Sequence, residues 1–308
     1  MDAVANNPET DVTTELVVST HDTFATILET KRAEMEAVER KTFQYGDLAR
    51  QQLDIYYPPS FPGKAPVLFF VYGGGFVSGE RILPAPWSLI YANLGSFFAK
   101  RGFLTVIADY RLVPEVGYPT PAEDVRDAAL WVVQNADTVA AAGRIQPDTD
   151  ALFLMGHSAG AVHLATVLLQ SQLRESIATS LLPRIRGLVF SAGAYTYAPS
   201  QGAEFLVNYY GSVEATAQSV PLALLKAAPD EYLKLLPEIL LVQAERDAAW
   251  VKASGDIFKG ALDTRLGKEV PRIIGKGHNH ISVNTALGSG EGEEWAEDVI
   301  KWMKERLE

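Results

Sequence analysis

The feature that most restricts the fold is a series of short, almost wholly apolar runs, each set apart from the next by a helical stretch. Val67–Tyr72, Leu104–Ala108, Ala151–Met155 and Gly187–Ser191 are such runs, and Ile239–Gln243 and Val270–Ile274 continue the series. Strand-length runs without polar alternation belong to parallel strands covered on both faces. Trp87–Arg101, Pro121–Gly143, Ala159–Arg174, Ala249–Leu266 and Glu293–Leu307 read as helices around and between them. Strand, helix, strand, repeated, predicts a mostly parallel α/β sheet with right-handed crossovers and helices on both faces. Gln51–Tyr57 departs from this pattern: Leu53, Ile55 and Tyr57 alternate with Gln52 and Asp54, as in a half-buried strand near a sheet edge. Residues 11–40 read as helical, with Leu28, Met35 and Val38 at apolar helical spacing.

One interval breaks the repeat. More than forty residues separate the last two-sided strand of the first group from Ile239, with helical pieces around Ala203–Tyr210 and Pro221–Ala227. A gap of that length inside a compact domain is usually a functional insertion. The expected organisation is therefore an N-terminal helical segment over residues 1–40 and one α/β domain over 41–308. The insertion at about 194–236 joins the N-terminal segment in a small cap over the carboxyl edge of the sheet.

Composition excludes several alternatives. A chain of 308 residues buries roughly three quarters of its unfolded surface and needs no staples. It has no cysteine, which rules out a disulfide scaffold, a cysteine nucleophile and a thiolate metal site. Lys and Arg number 27 against 38 Asp and Glu, a net charge of −11 that disfavours nucleic acid and anionic membranes as partners. The opening residues have neither the basic nor the apolar region of a secretory signal, and no run approaches the ~20 apolar residues of a membrane span. The expectation is a soluble cytoplasmic protein, with a homodimer left open.

Chemistry concentrates at the ends of the apolar runs. Gly156-His157-Ser158-Ala159-Gly160 follows Ala151–Met155 and opens an Ala/Leu-rich helix. Glycines two residues to either side of a serine permit a sharp strand-to-helix turn that pushes the hydroxyl outward and turns the Ala159 N–H toward the same space. The bland alternative is an ordinary glycine-bracketed turn. Tyr72-Gly73-Gly74-Gly75-Phe76 follows the first run and presents bare amides, fit to hold an oxyanion or merely to make a flexible loop. Asp247 lies just after Ile239–Gln243, and Gly277-His278-Asn279-His280 just after Val270–Ile274. The order Ser, Asp, His is that of the nucleophile-elbow arrangement. In it His280 takes the Ser158 proton, and Asp247 fixes the imidazole tautomer. Glu245 is the rival acid and His278 the rival base. The two histidines with a carboxylate also suggest a metal site, but no third ligand has recognisable spacing.

Over residues 42–308 the chain resembles the α/β-hydrolase superfamily, and within it the hormone-sensitive-lipase-like esterases and the kynurenine formamidase-like hydrolases. The triple glycine Gly73–Gly75, the stretch Asp109-Tyr110-Arg111-Leu112-Val113-Pro114-Glu115 and the Ser158 elbow carry the likeness. The resemblance implies an eight-stranded sheet, Ser158 as nucleophile, Asp247 as acid and His280 as base. It implies Gly74, Gly75 and Ala159 as oxyanion donors, an ordered turn at Asp109–Glu115, and no metal or other cofactor. His280 is preferred to His278 because Asn279-His280-Ile281 matches the family's histidine followed by an apolar residue. Tyr72 stands where the family usually has histidine before the glycines, and its hydroxyl could either support the loop or reach the substrate. Aromatics near the expected mouth, Phe76, Trp87, Phe205, Tyr209, Tyr210 and Trp250, suggest an apolar pocket, with plain cap packing as the competing reading. The implied activity is a serine carboxylesterase on small to medium apolar esters. The alternatives are the same machinery on an amide, as in an arylformamidase, and a non-catalytic ligand-binding member of the fold.

Overall fold

Eight strands form one sheet: β1 (Arg40–Gln44), β2 (Gln52–Tyr56), β3 (Lys64–Val71), β4 (Leu104–Ala108), β5 (Gln146–His157), β6 (Ile185–Ser191), β7 (Glu238–Ala244) and β8 (Arg272–Gly275). The structure is a computed structural model, and it describes residues 1–196 and 204–308. Residues 197–203 of the expected insertion, including Ala203 at the start of one expected helical piece, lie outside the described residues.

The strand order is β1-β2-β4-β3-β5-β6-β7-β8. The six apolar runs are the six mutually parallel strands β3–β8, and β2 runs antiparallel to both β1 and β4. Successive residues of a strand point to opposite faces. In β3 every residue from Ala65 to Val71 is buried, and β4 is buried throughout, so both faces of this part of the sheet are covered. The chain steps from β3 outward to β4, then crosses back to place β5 on the other side of β3. That reversal is a topological switch point, and the crevice at the carboxyl ends of β3 and β5 is where ligands bind in such sheets. The triple glycine follows β3 and the serine elbow follows β5, so both open into it.

Several expectations shift at element boundaries. β2 lies near the sheet edge as expected, second from it, but is not half-buried: Leu53 to Tyr56 are all buried. The edge strand on that side is β1, whose sequence Arg-Lys-Thr-Phe-Gln is almost fully exposed and carries no apolar alternation to betray it; the other edge is β8, expected to be covered on both faces but only partly buried. The helix expected over 11–40 is two pieces, Thr14–Glu29 and Arg32–Glu36, the first capped by Thr13, whose side chain accepts from Leu16 N. Pro121–Gly143 divides at Asn135 into Thr120–Gln134 and Ala136–Gly143. Ala159–Arg174 divides at Gln170, whose extended backbone ends Ala159–Leu169 and whose side chain caps Ser171–Ile177. Ala249–Leu266 and Pro221–Ala227 form as expected. Among the described residues no helix is long and apolar enough to cross a membrane.

Candidate active site

The elbow is held open by steric necessity. Ser158 has φ 53° and ψ −123°, a conformation that costs a non-glycine residue about 1–3 kcal/mol and persists only where its surroundings enforce it. Its N–H donates to Ser191 O (2.9 Å) at the end of β6. Gly160 supplies the room: a Cβ there would lie 2.1 Å from Val71 O. Ser158 is thereby lifted into the crevice, the one partly exposed residue between Ala151 and Leu169.

Two loops bring the other groups to it. Asp247 follows β7 and is 1% exposed; His280 follows β8 and is 2% exposed. His280 Nδ1 donates to Asp247 Oδ1 at 2.7 Å. The Nδ1–H tautomer leaves the Nε2 lone pair to accept from Ser158 Oγ, 2.9 Å away. Asp247 Oδ2 is buried without a hydrogen-bond partner, so the contact with His280 is the carboxylate's main compensation. The rivals have other work. His278 is pinned through Nδ1 to Ser282 Oγ (3.1 Å) and through Nε2 to Gly292 O (2.6 Å), while Glu245 accepts from Gly277 N (2.7 Å). Among the described residues no three His, Asp or Glu side chains are grouped to hold a metal ion.

The triple glycine lies directly over the elbow. Gly74 has φ 140°, and a Cβ on it would sit 2.0 Å from Ser78 O. Its carbonyl accepts from Val77 N and Ser78 N, which closes a turn after the glycines. Among the described residues the N–H groups of Gly74, Gly75 and Ala159 make no backbone hydrogen bond. Ala159 stands at the N-terminus of the helix Ala159–Leu169, whose dipole adds positive potential at the same point.

Beneath the loop is a buried polar hub. The Tyr72 hydroxyl donates to Asp109 Oδ1 (2.7 Å) and accepts from Arg50 Nη2 (3.1 Å). Burial, reinforced by the Asp109 carboxylate, pushes the phenol well above its ordinary pKa, so it remains a donor. Arg81 N also donates to Asp109 Oδ1 (2.6 Å), and the Arg81 guanidinium bridges Asp109 and Asp54. Tyr110 OH donates to Tyr72 O (2.9 Å). Tyr72 therefore supports the loop from below, wholly buried, and does not reach the substrate space as one of the two sequence readings had it.

The cavity above Ser158 has a volume of about 610 Å³. The helix Thr14–Glu29 and its approach supply Val12, Val17, Val18 and His21; the loop after the glycines supplies Val77, Leu83 and Trp87. Of the aromatics expected at the mouth, Trp87 lines the space, its Nε1–H donating to Asp22 Oδ1 (2.8 Å) and its ring edge-on to His21. Burial lowers the His21 pKa to about 4. Phe76 and Tyr209 do not line it. They are each 1% exposed and stack on one another at 4.1 Å, in a separate core with Ala159, Val162 and Leu206. Trp250 packs on that cluster and on Ala192, Ala248 and Val251, away from the cavity. These aromatics are packing because the insertion helices need apolar partners of their own. The lining residues missed in the sequence include aliphatics on and before the helix Thr14–Glu29 and in the loop after the glycines, where a side chain facing a cavity and one facing a core look alike.

A family model described as BD-FAE matches residues 53–218, more than half of the chain. The chain belongs to the BD-FAE family. Its fold is the α/β-hydrolase fold: a hyperthermophilic esterase from the archaeon Pyrobaculum calidifontis superposes with a TM-score of 0.69 at 21% identity, covering 95% of this chain and 93% of that one. The thermostable carboxylesterase EstE1, cloned from a metagenomic library, gives 0.70 at 19% identity, covering 96% and 97%. The probable isoprenylcysteine alpha-carbonyl methylesterase ICME of Oryza sativa subsp. japonica is 28% identical over 83% of this chain and 61% of its own. The chain thus spans about three fifths of the length of such curated relatives.

Proposed function

We propose that this BD-FAE family member is a carboxylic ester hydrolase that works through an acyl-enzyme on Ser158 and takes small to medium apolar esters. The observation that carries the proposal is the unbroken chain Asp247–His280–Ser158, at 2.7 and 2.9 Å, beneath free amides and an apolar cavity. His280 Nε2 removes the Ser158 proton as Oγ attacks the ester carbonyl, and the carbonyl oxygen becomes an oxyanion held by the amides of Gly74, Gly75 and Ala159. Collapse of this intermediate breaks the bond to the leaving oxygen, which takes the proton from the His280 imidazolium. A water then loses its proton to His280 and attacks the acyl-enzyme; as the second intermediate collapses, the bond to Ser158 Oγ breaks, His280 returns the proton to that oxygen, and the acid leaves. Asp247 keeps the imidazole in the required tautomer and steadies its charge.

Val12, Val17, Val18, Val77, Leu83, Trp87 and Ile281 give the cavity its apolar walls, and among the described residues Glu80 is the one acidic or basic side chain in the lining apart from histidine. A neutral acyl or alcohol group is desolvated there without stranding a charge, whereas an anionic one finds no cation. Kinetics on p-nitrophenyl esters of graded chain length, beside an isoprenylcysteine methyl ester and N-formylkynurenine, test the reading. The proposal expects kcat/KM to be highest on an apolar ester and Ser158→Ala to lose it. Highest turnover on the formamide would transfer the assignment to amide hydrolysis with the same groups. No turnover of any ester would refute it.

A further inference from the structure

The residue between Gly156 and Ser158 makes a contact that the acyl-transfer steps do not use. His157 is 4% exposed, and its Nε2 lies 2.9 Å from the backbone carbonyl oxygen of His280. A carbonyl only accepts, so Nε2 carries the proton. Burial, with the neighbouring His280 adding to it, pushes the His157 pKa well below the ordinary value, and the ring stays neutral in one tautomer. The two imidazoles lie 4.8 Å apart, centre to centre. Residue 157 is thus tied by the main chain to the nucleophile on one side and by its side chain to the main chain of the base on the other.

From this cross-link we infer that His157 is a positioning residue, setting the distance between Ser158 Oγ and His280 Nε2. The inference rests on the triad reading above. The side chain of His280 is held by Asp247 at Nδ1, a contact that orients the ring but does not anchor the main chain that carries it. The bond from His157 fixes the backbone from which the ring departs. Other anchors of this loop act on its neighbours: Asn279 Nδ2 donates to Thr20 Oγ1 (3.0 Å), and Asn279 Oδ1 accepts from Ile281 N and Ser282 N (3.0 and 2.8 Å). Among the described residues, only His157 bonds the carbonyl of His280 itself. The x of G-x-S-x-G therefore couples β5 to the loop after β8, which are not adjacent strands in the sheet.

Two substitutions and one measurement on the unaltered protein test this. His157→Gln keeps an N–H donor the same number of bonds from Cα; His157→Leu fills similar volume without one. On the best p-nitrophenyl ester, His157→Leu should lower kcat about 10- to 100-fold, the order expected of a displacement near 1 Å, with KM changed less than about threefold. His157→Gln should recover at least tenfold of that loss. Rates of Ser158 labelling by a fluorophosphonate should follow kcat. Leu at the wild-type kcat, or Gln no better than Leu, overturns the inference. In the wild-type protein labelled with 15N-histidine, His157 should give the neutral Nε2–H tautomer across pH 5–8; an Nδ1–H tautomer overturns it whatever the variants do. Ser158→Ala run beside them separates the two readings: turnover in that variant removes the triad assignment, whereas a dead Ser158→Ala with an unimpaired His157→Leu removes only the role of His157.

Discussion

At the scale of the residue, charge compensation decides what matters. Asp247 has one oxygen on His280 and the other buried without a partner, so replacing it affects the tautomer more than the packing. Asp247→Asn should lower kcat by about 10³- to 10⁴-fold, because an amide that donates to Nδ1 forces the wrong tautomer on His280. Steady-state kinetics with circular dichroism as a fold check would read this; a loss under tenfold would remove Asp247 from its proposed role. Tyr72→Phe removes the donor to Asp109 Oδ1 and the acceptor for Arg50. A hydrogen bond to a carboxylate contributes about 1.5–3 kcal/mol, so a lowered unfolding midpoint together with a reduced kcat is expected. Unchanged kcat and stability would mean that the triple glycine holds its shape without the hub. Ser158 could be located from sequence because its elbow has a steric signature, two glycines around one serine after a buried strand. For Tyr72 the sequence left loop support and substrate contact both open, and the contact of His157 was not legible, because they depend on partners 37 and 123 residues away.

At the scale of the element, the N-terminal helix Thr14–Glu29 is the wall of the cavity. Leu16, Phe24 and Leu28 are buried, while Val17, Val18 and His21 face the space over Ser158. The helix is tied to the site through Thr20 and Asn279 and to the opposite wall through Asp22 and Trp87. Trp87→Ala removes that tie and part of the wall, and should move the preferred acyl chain to greater length, with kcat/KM on the longest soluble ester raised relative to the acetate by several-fold. An unaltered chain-length profile would show that Trp87 does not bound the substrate. Strands β3–β7 were legible because two-sided burial leaves continuous apolar runs, and β8 by its Val-Pro-Arg-Ile-Ile run although it lies at the other edge and is only partly buried. β1 was not, since a polar strand at a sheet edge is defined by its hydrogen bonds and not by its side chains. The helix Val213–Ser219 also escaped, although its cap is local: Ser212 Oγ accepts from Ala215 N.

At the scale of the whole molecule, the fold carries imidazoles that it cannot easily charge. Burial lowers the pKa of His163 to about 3, of His21 to about 4, and of His157 well below the usual value. His163 sits among Phe76, Tyr110 and Tyr209, with Nδ1 on Tyr209 OH (3.1 Å) and Nε2 unpartnered. Each would bind a proton near pH 6.5 when unfolded, so between there and the folded values the unfolded chain holds more protons. Stability from these groups is complete above about pH 6.5 and declines as the pH falls toward 4. Each buried imidazole contributes a slope of about 1.4 kcal/mol per pH unit in that window. Urea midpoints from pH 7.5 to 4.5 should fall accordingly, and His163→Gln should flatten the curve. A His163→Gln protein with the wild-type slope would contradict the assignment. The overall α/β plan was legible at this scale from the strand–helix repeat, but not which of its layers would bury the histidines.

The most direct test of the account is the intact mass of the protein after reaction with a fluorophosphonate, followed by peptide mapping. A single adduct on Ser158, absent from Ser158→Ala and accompanied by complete loss of ester hydrolysis, is the predicted result. An adduct on another residue, or hydrolysis that survives in Ser158→Ala, would contradict it.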